Sequence, residues 1–294
     1  MKKTLVVLPA LLLASVACNL EVLAEPFVER EEKSFRVAGR PDVTLITFDG
    51  SIEVRSWDRN EVAVTIERRA ATAEAAKSLE VRAEQTGDRV QVEVVRPKGM
   101  NVEFGMGPSA SLVVKLPRAS NLEARSGDGS IRVDDVSGRV SLRSGDGSIA
   151  GTTLDGEIAA HTGDGSVSLD RVSGRISVET GDGSVNVSGV VRGLHARTGD
   201  GSITVRAADQ SAVLEDWDVS TGDGGMTIEL PRGLDAEVDA RTGDGGISVE
   251  GLEVVRASSG REEDRDELRG RIGAGGKILK LRTGDGSIRL RRAG

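Results

Sequence analysis

The sequence predicts an all-β fold, a right-handed parallel β-solenoid (β-helix) with about 18 residues per coil. First, the motif Gly-Asp-Gly recurs along the chain, and its first five aspartates are eighteen residues apart. Second, a further glycine lies midway between successive acidic turns, as in VSGRV at 136–140, so each unit contains two short strands and two turns. Third, apolar and polar residues alternate within the strands, as in Ile131, Arg132 and Val133. The aspartates of the motif are Asp128, Asp146, Asp164, Asp182, Asp200, Asp223, Asp244 and Asp285.

A single unit cannot fold alone. About four inward aliphatic side chains at roughly 1.5–3 kcal/mol each do not offset about 1–2 kcal/mol of backbone entropy for each residue. The alternative, an antiparallel β-meander or sandwich, would leave a broad apolar face with few aromatic residues to cover it, since aromatics make up 2% of the chain. A parallel solenoid encloses its own core and sets each unit above the previous one. We expect it to be right-handed, because parallel crossovers nearly always are.

Residues 1–24 read as a signal peptide. Two lysines precede an apolar run at 4–17, which is shorter than the about 20 residues that a membrane span needs. Cys18, the only cysteine, lies where a lipoprotein processing site would place the lipidated residue. A cut after Ala24 would instead discard Cys18. The mature protein is therefore expected to be soluble or lipid-anchored, and Asn19 is compatible with sorting to an outer membrane.

The remaining chain divides into two parts. Residues 25–117 form a less regular N-terminal β part, in which a short helix at about 72–84, with Thr72 as its cap, is expected to cover the open end of the solenoid. Residues 118–294 form the regular repeat. The last step, of forty-one residues, is explained by a charged insertion at 257–271, predicted to be a solvated loop. The basic residues at 289–294 are expected to discourage end-to-end pairing at the C-terminal end.

Several segments are typical of one bacterial family. They are DGSIEV near the start, VVKLPRASNLEARSGDGSI at 113–131 with its echo at 227–247, and GRIGAGGKILKLRTGDGSIRL at 270–290. With these segments the chain resembles the "putative adhesin" family of β-strand-repeat proteins, a domain of unknown function related to toastrack domains of envelope stress systems. The resemblance implies an exported β-solenoid on or inside the cell envelope. It implies no catalytic residues.

The aspartate of each turn has two interpretations. In the structural one, it accepts hydrogen bonds from nearby backbone N–H groups, and a mostly basic column three residues earlier neutralises it. In the other, the repeated carboxylates bind Ca²⁺, as Gly/Asp nonapeptide repeats do. Those repeats carry acidic turns on both edges of a coil, whereas the second edge here reads VSG or LDG. We therefore predict no cofactor and no metal, with Ca²⁺ as the alternative.

The composition argues against an enzyme and against a nucleic-acid binder. The formal net charge is -8, and a nucleic-acid binder would normally carry a basic excess. His161 and His195, the only histidines, are predicted to be solvent-exposed, and the sequence contains no cluster of His and Cys that could bind zinc. A polysaccharide lyase on a β-helix would need aromatic platforms and a break in the repeat. No catalytic residue is predicted.

Two non-enzymatic functions fit these observations. One is a lipoprotein of the outer membrane or cell surface, an adhesin or interaction module that presents its repeated polar stripe to a cell-surface polymer. The other is a periplasmic structural or envelope-stress protein that binds another envelope protein, through a β-edge or the charged insertion. In both, contact with the membrane would occur only through a lipid anchor. The sequence leaves the oligomeric state open.

Overall fold

The chain folds almost entirely into β-strands. The structure, a computed structural model, describes residues 26–96, 107–256 and 265–293. The predicted signal peptide and Cys18 lie outside these described residues. The strands below are connected into one sheet by backbone pairing, so the predicted parts 25–117 and 118–294 share a sheet.

The secondary-structure elements follow in chain order. The N-terminal part contains β1 (Phe27–Arg36), β2 (Asp42–Thr47), β3 (Ile52–Trp57), β4 (Glu61–Ala70), α1 (Ala73–Lys77), β5 (Glu80–Thr86) and β6 (Arg89–Val95). The central part contains β7 (Ser109–Pro117), β8 (Asn121–Ser126), β9 (Ile131–Asp134), β10 (Ser137–Arg143), β11 (Ile149–Thr152), β12 (Asp155–Thr162), β13 (Val167–Thr180), β14 (Val185–Thr198), β15 (Ile203–Ala207), β16 (Trp217–Thr221) and β17 (Met226–Leu230). The C-terminal part contains β18 (Ala236–Thr242), β19 (Ile247–Glu250), β20 (Val254–Arg256), β21 (Glu267–Ile272), β22 (Ile278–Thr283) and β23 (Ile288–Arg292).

Two parallel ladders of strands run along the molecule. We call the strands that precede each acidic turn the first ladder, the strands that follow it the second ladder, and one strand of each with their turn a coil. In the first ladder Val140 pairs with Leu122 and Ile158, each eighteen positions away. In the second, Ile149 pairs with Ile131 and Val167 at the same distance in sequence. The all-β class is confirmed, and the repeat stacks in parallel as a solenoid-like sheet, so the antiparallel alternative is wrong for this region.

The core lies between the ladders and consists of the alternating aliphatic residues. Along β10, Val140 and Leu142 are buried while Arg143 is exposed, and along β9 Ile131 and Val133 are buried while Arg132 is exposed. Strands β13 and β14 are long because each continues through the corner opposite the acidic turn and contributes to both ladders.

The order of the coils along the stack departs from the order in the chain at both ends. At the N-terminal end, β2 pairs with β6 on one side and β8 on the other, and β3 lies between β7 and β9. At the C-terminal end, β22 lies between β16 and β18, and β23 between β17 and β19. The coil of β2 and β3, nearest the N-terminus, and the coil of β22 and β23, nearest the C-terminus, are therefore not at the ends of the stack. Each has one further coil outside it. The expectation that every unit lies on its immediate predecessor is wrong there.

This order changes two predictions about the C-terminal region. The forty-one-residue step does not mark an insertion within one coil, because the coil of Asp285 lies between those of Asp223 and Asp244. The basic residues of β23 lie inside the stack and do not protect its end.

Antiparallel strands cover the ends of the ladders. At the N-terminal end β5 pairs with β6, β4 pairs with β7, and β1 pairs with β4. At the other end β21 pairs with β18, and β20 pairs with β21. Of the insertion predicted at 257–271, residues 257–264 lie outside the described residues, and Glu267–Ile272 forms β21 instead of a loop. Pairing with β18 satisfies backbone groups that the ladder edge would otherwise leave open.

The predicted helix at 72–84 is wrong in its length. Helix α1 spans Ala73–Lys77, and Thr72 caps it by accepting a hydrogen bond from the backbone N of Ala75 at 3.2 Å. From Glu80 onward the chain forms β5, because pairing with β6 outweighs the helix propensity of a segment too short to be stable alone. Helix α1 packs on β1 and β4 and buries Ala76.

Candidate interaction surface

A buried column of hydroxyls holds the acidic turns. Each turn has a Ser or Thr two positions before its aspartate, and its Oγ donates to a glycine carbonyl of the neighbouring coil, at 2.8 Å from Thr162 to Gly147 and from Thr180 to Gly165. In several turns the same oxygen also accepts a hydrogen bond from the backbone N–H of the glycine after the aspartate. The N–H of Gly147, for example, donates to Ser144 Oγ at 3.1 Å. The residues of this column are Ser126, Ser144, Thr162, Thr180, Thr198, Thr221, Thr283 and Thr242, all buried. A Ser or Thr two positions before each turn aspartate is visible in the sequence, but the sequence analysis did not predict that its hydroxyl bonds to the neighbouring coil.

The turn glycines stack in close contact. The backbone N of Gly163 donates to Gly145 O, and that of Gly181 donates to Gly163 O. A Cβ built on Gly163 would lie 2.6 Å from Gly145 O. A side chain at this position would push the coils apart, so the turns require glycine.

The turn aspartates form what we call the acidic ridge. In stack order the acidic ridge consists of Asp128, Asp146, Asp164, Asp182, Asp200, Asp223, Asp285 and Asp244, all exposed. Within residues 26–96, 107–256 and 265–293, none of these carboxylates has a hydrogen bond or an ion pair. The expected hydrogen bonds from backbone N–H groups are absent there, and in five of the eight turns the Ser/Thr hydroxyl accepts the N–H of the glycine after the aspartate instead.

The residues three positions before the acidic ridge form what we call the basic column. In stack order they are Arg125, Arg143, His161, Glu179, Arg197, Ser220, Arg282 and Arg241, and each pairs through its backbone with the next. Their ion pairs go to other neighbours than the ridge. Arg125 pairs with Glu123, and both Arg282 and Arg241 pair with Asp239.

Two cations of the basic column have no side-chain partner among the described residues. Arg143 and Arg197 make no ion pair and no side-chain hydrogen bond in the described part of the chain, and both are exposed. In residues 26–96, 107–256 and 265–293 the basic column forms no ion pair with the acidic ridge, so any neutralisation between the two lines acts without direct contact.

A shallow groove lies between the basic column and the acidic ridge. It has a volume of about 650 Å³ and crosses four successive coils. Each coil contributes its basic-column residue, the buried Thr and the first turn glycine, from His161 to Gly222. In the lining, Glu179 lies between the two histidines, with Oε2 3.4 Å from His161 Nδ1 and Oε1 3.5 Å from His195 Nε2. Both histidines are exposed at the surface to a substantial degree, as predicted.

Carboxyl groups with shifted pKa values lie away from this surface. A hydrogen bond from Ser56 and the ion pair with Arg118 lower the pKa of Asp135. A hydrogen bond and charge attraction from Arg175 lower the pKa of Glu215. The partners of these two carboxyl groups are Ser56, Arg118 and Arg175, so neither group is paired with a side chain that could act as a general base.

The described residues contain no group of three His, Cys, Asp or Glu placed to hold a metal ion. In the same part of the chain, no helix is long and apolar enough to cross a membrane.

Solved structures that resemble this chain come from several bacteria. A "putative cell adhesion protein" from Clostridium sporogenes ATCC 15579 is 13% identical, with a TM-score of 0.30, covering 92% of this chain and 100% of its own. A "Putative lipid binding protein" from Parabacteroides distasonis ATCC 8503 is 14% identical, with a TM-score of 0.41, covering 89% and 96%. A "putative adhesin" from Bacteroides fragilis NCTC 9343 is 10% identical, with a TM-score of 0.40, covering 89% and 97%. At these scores we draw no functional inference from them.

The family of the chain is established from its sequence. No curated protein matches it. The family model described as Toastrack DUF4097 matches residues 43–291, which is most of the chain and includes the segments on which the family resemblance rests. This protein belongs to the Toastrack DUF4097 family.

Proposed function

We propose that this toastrack protein is an exported, non-enzymatic interaction module of the cell envelope, an adhesin in the broad sense. Its repeated charged surface serves contacts outside the chain. The supporting observation is that the eight carboxylates of the acidic ridge, together with Arg143 and Arg197, have no partner in the described part of the chain. Charges that do not hold the fold together are available to a binding partner.

The location that we propose is the outer membrane or cell surface, with a lipid on Cys18 as the anchor. The apolar run before Cys18 supports export. Protease treatment of intact native cells should remove the protein, and palmitate labelling should be lost in Cys18→Ala. A lysed sample shows that the protein can be cleaved. Survival of the protein until lysis would contradict surface display and favour the second function.

That second function is a periplasmic structural or stress-response partner. In this function the same charged surface would bind another envelope protein. Crosslinking in intact cells, followed by identification of the captured protein, would separate it from a surface adhesin.

The architecture that we propose for this function is a right-handed parallel β-solenoid with about 18 residues per regular coil. The known preference of parallel crossovers supports the handedness. Helix α1 serves as a cap at the N-terminal end, supported by its packing on β1 and β4.

Calcium binding by the acidic ridge is the remaining alternative. Ca²⁺ prefers six to eight oxygen ligands, and successive ridge carboxylates come from separate coils about 5 Å apart. Millimolar Ca²⁺ should therefore raise the melting temperature no more than NaCl of the same ionic strength. A rise specific to Ca²⁺, absent with the matched NaCl, would favour the calcium alternative.

A further inference from the structure

We propose that two copies of this protein pair side by side, with the acidic ridge of each copy against the basic column of the other. The inference is independent of whether the protein faces the cell exterior or the periplasm. It identifies a second copy of the chain as a partner for charges that have none within the described part of the chain.

The two charged lines have the same spacing. Both belong to the coils of one parallel stack, so successive members of either line are one strand spacing apart, about 4.8 Å. Each basic-column residue lies at or next to the last position of its first-ladder strand, and the ridge aspartate lies in the turn that follows, three residues later in sequence. An acidic line and a mainly basic line of identical spacing, both at the same end of the first-ladder strands, make the surface complementary to itself.

Two-fold symmetry determines which residues would meet. An axis parallel to the stack, between the two lines, exchanges ridge and column and leaves each coil opposite the same coil of its partner. Arg143 then faces Asp146 of the partner subunit, and Arg197 faces Asp200 of the partner subunit. An axis across the stack would instead set ridge against ridge, which like charge disfavours.

The surface allows close approach. The outward residues two positions before Arg143, His161 and Glu179 are Ser141, Ala159 and Ser177, all with short side chains, whereas His195 takes this place before Arg197. The groove between ridge and column, about 650 Å³ over four coils, provides space for the partner's acidic turns. No side-chain contact within the described part of the chain has to break to free Arg143, Arg197 or the ridge.

A second copy fits this surface better than a polymer of one charge sign. A polyanion on the basic column would lie beside eight ridge carboxylates, and a polycation on the ridge would lie beside the arginines. A copy of the chain presents both signs at the correct spacing. Glu179 opposite Asp182 of the partner subunit is a local mismatch that the matched pairs must outweigh.

Salt dependence is the first test. In sedimentation velocity the native processed protein should be dimeric in about 0.1 M salt and dissociate in about 1 M salt, because the Debye length falls from about 10 Å to about 3 Å. A monomer under both conditions would overturn the proposal.

Charge reversal is the second test. One variant combines Arg143→Glu with Arg197→Glu, and the other combines Asp146→Lys with Asp200→Lys. Each alone should weaken self-association by about tenfold or more, since two like-charge pairs arise in each half of the interface. An equimolar mixture should associate again, because each half then joins opposite charges. The two Asp→Lys substitutions reduce like-charge repulsion within the ridge, and Arg143→Glu does so beside Arg125, whereas Arg197→Glu sets a second carboxylate beside Glu179. Circular dichroism of each variant therefore verifies the fold before association is measured.

Single-site controls, which change the net charge half as much as each double variant, compare reversal of a charge on the surface with reversal of a charge elsewhere. Arg132→Glu, on the outer face of the second ladder, and Asp209→Lys, in an exposed loop, alter charge in the same way at each site but lie off the surface. They should leave the dimer intact. Loss of the dimer in these controls, or failure of folded charge-reversed variants to associate when mixed, would refute the pairing.

Discussion

Thr180 shows how one hydroxyl joins two coils. Its Oγ donates to Gly165 O at 2.8 Å, and its side chain is buried. A buried carbonyl that loses its only side-chain donor costs free energy, because water cannot replace the bond. The same contact recurs in successive turns, so the hydroxyl column is a structural feature of the repeat, and the aspartates have no hydrogen bond or ion pair to the described residues.

Replacing Thr180 with Val should lower the free energy of unfolding by about 1–3 kcal/mol, because the shape is kept and Gly165 O loses its donor. Urea denaturation would measure the loss. Thr204→Val is the control, since Thr204 lies on the outer side of β15 and makes no side-chain hydrogen bond in the described part of the chain. Equal losses in the two variants would contradict the role of the hydroxyl column.

Asp135 joins two coils at the opposite corner. It accepts hydrogen bonds from Ser56 Oγ at 2.5 Å and Arg118 Nε at 2.8 Å, and its φ is 58°. The Ser56 bond is the main cause of its lowered pKa, followed by burial, which opposes it, and then by Arg118. A lowered pKa in the folded state means that the ionised form stabilises the fold.

We expect Asp135→Asn to reduce stability at neutral pH. The native advantage should be complete above the ordinary carboxyl pKa and should disappear as the pH falls through the lowered pKa of the folded state. Denaturation curves of both proteins at a series of pH values would show the difference shrinking toward acid. A difference that does not change with pH would refute the electrostatic explanation.

At the scale of elements, the corner glycines determine how closely two strands stack. Gly156 pairs with Gly138 and Gly174 in the first ladder, and its φ is +124°. A Cβ built there would lie 2.3 Å from Gly138 O. The midway glycine of each unit is thus required both by its backbone conformation and by the neighbouring coil.

Gly156→Ala should destabilise the protein by roughly 2–4 kcal/mol, because it combines an unfavourable φ with overlap on a neighbouring backbone. Gly246→Ala should have little effect, since no atom lies within 4 Å of the position that its Cβ would take and its φ lies outside the left-handed region. Thermal or urea unfolding of the two variants would compare them. Similar stability of both would contradict the close stacking at the corner.

Edge strand β1 carries charge on the side where its partner strand is apolar. Glu31 pairs with Ile66 and Lys33 with Val64, and both of these β4 residues are buried. Inward charges on an edge strand oppose the addition of a further strand. This element therefore favours contacts through the face of the ladder over contacts through the β1 edge.

At the scale of the whole molecule, the coils nearest both chain ends are held between neighbours. Strand β22 has parallel partners on each side, β16 and β18, although it lies close to the C-terminus. A strand paired on both sides cannot separate from the end of the sheet without breaking two sets of hydrogen bonds. The insertion of this coil thus protects the chain end from fraying.

Native-state hydrogen exchange should detect this arrangement. Backbone amides of β22 and β23 should exchange as slowly as those of β12 in the centre of the stack, because they open only with neighbouring coils. Amides of β20, at the edge, should exchange faster and serve as the comparison. Fast exchange that begins at the C-terminal strands would contradict the inserted coil.

Much of the local structure was predictable from the sequence. The alternation around Ile131 and Val133 determined which residues are buried, and Thr72 marked the start of a helix. The eighteen-residue period fitted two stackings, and the shortage of aromatic residues to cover an open sheet favoured the parallel one. These features depend on residues close in sequence or on a repeated spacing. The length of α1 was not predictable in this way, because pairing of β5 with β6 depends on a strand formed later in the chain.

The sequence by itself determined the all-β class, the alternating core and the turn glycines, because period-two alternation and a close backbone approach depend on residue type and spacing. Only the tertiary structure decided the order of the coils. Coils with the same alternation and the same turn offer equivalent ladders, so local pattern cannot specify which coil lies beside which. The tertiary structure also decided that the turn hydroxyls bond between coils and leave the acidic ridge without partners in the described part of the chain, since that outcome depends on side chains from neighbouring coils.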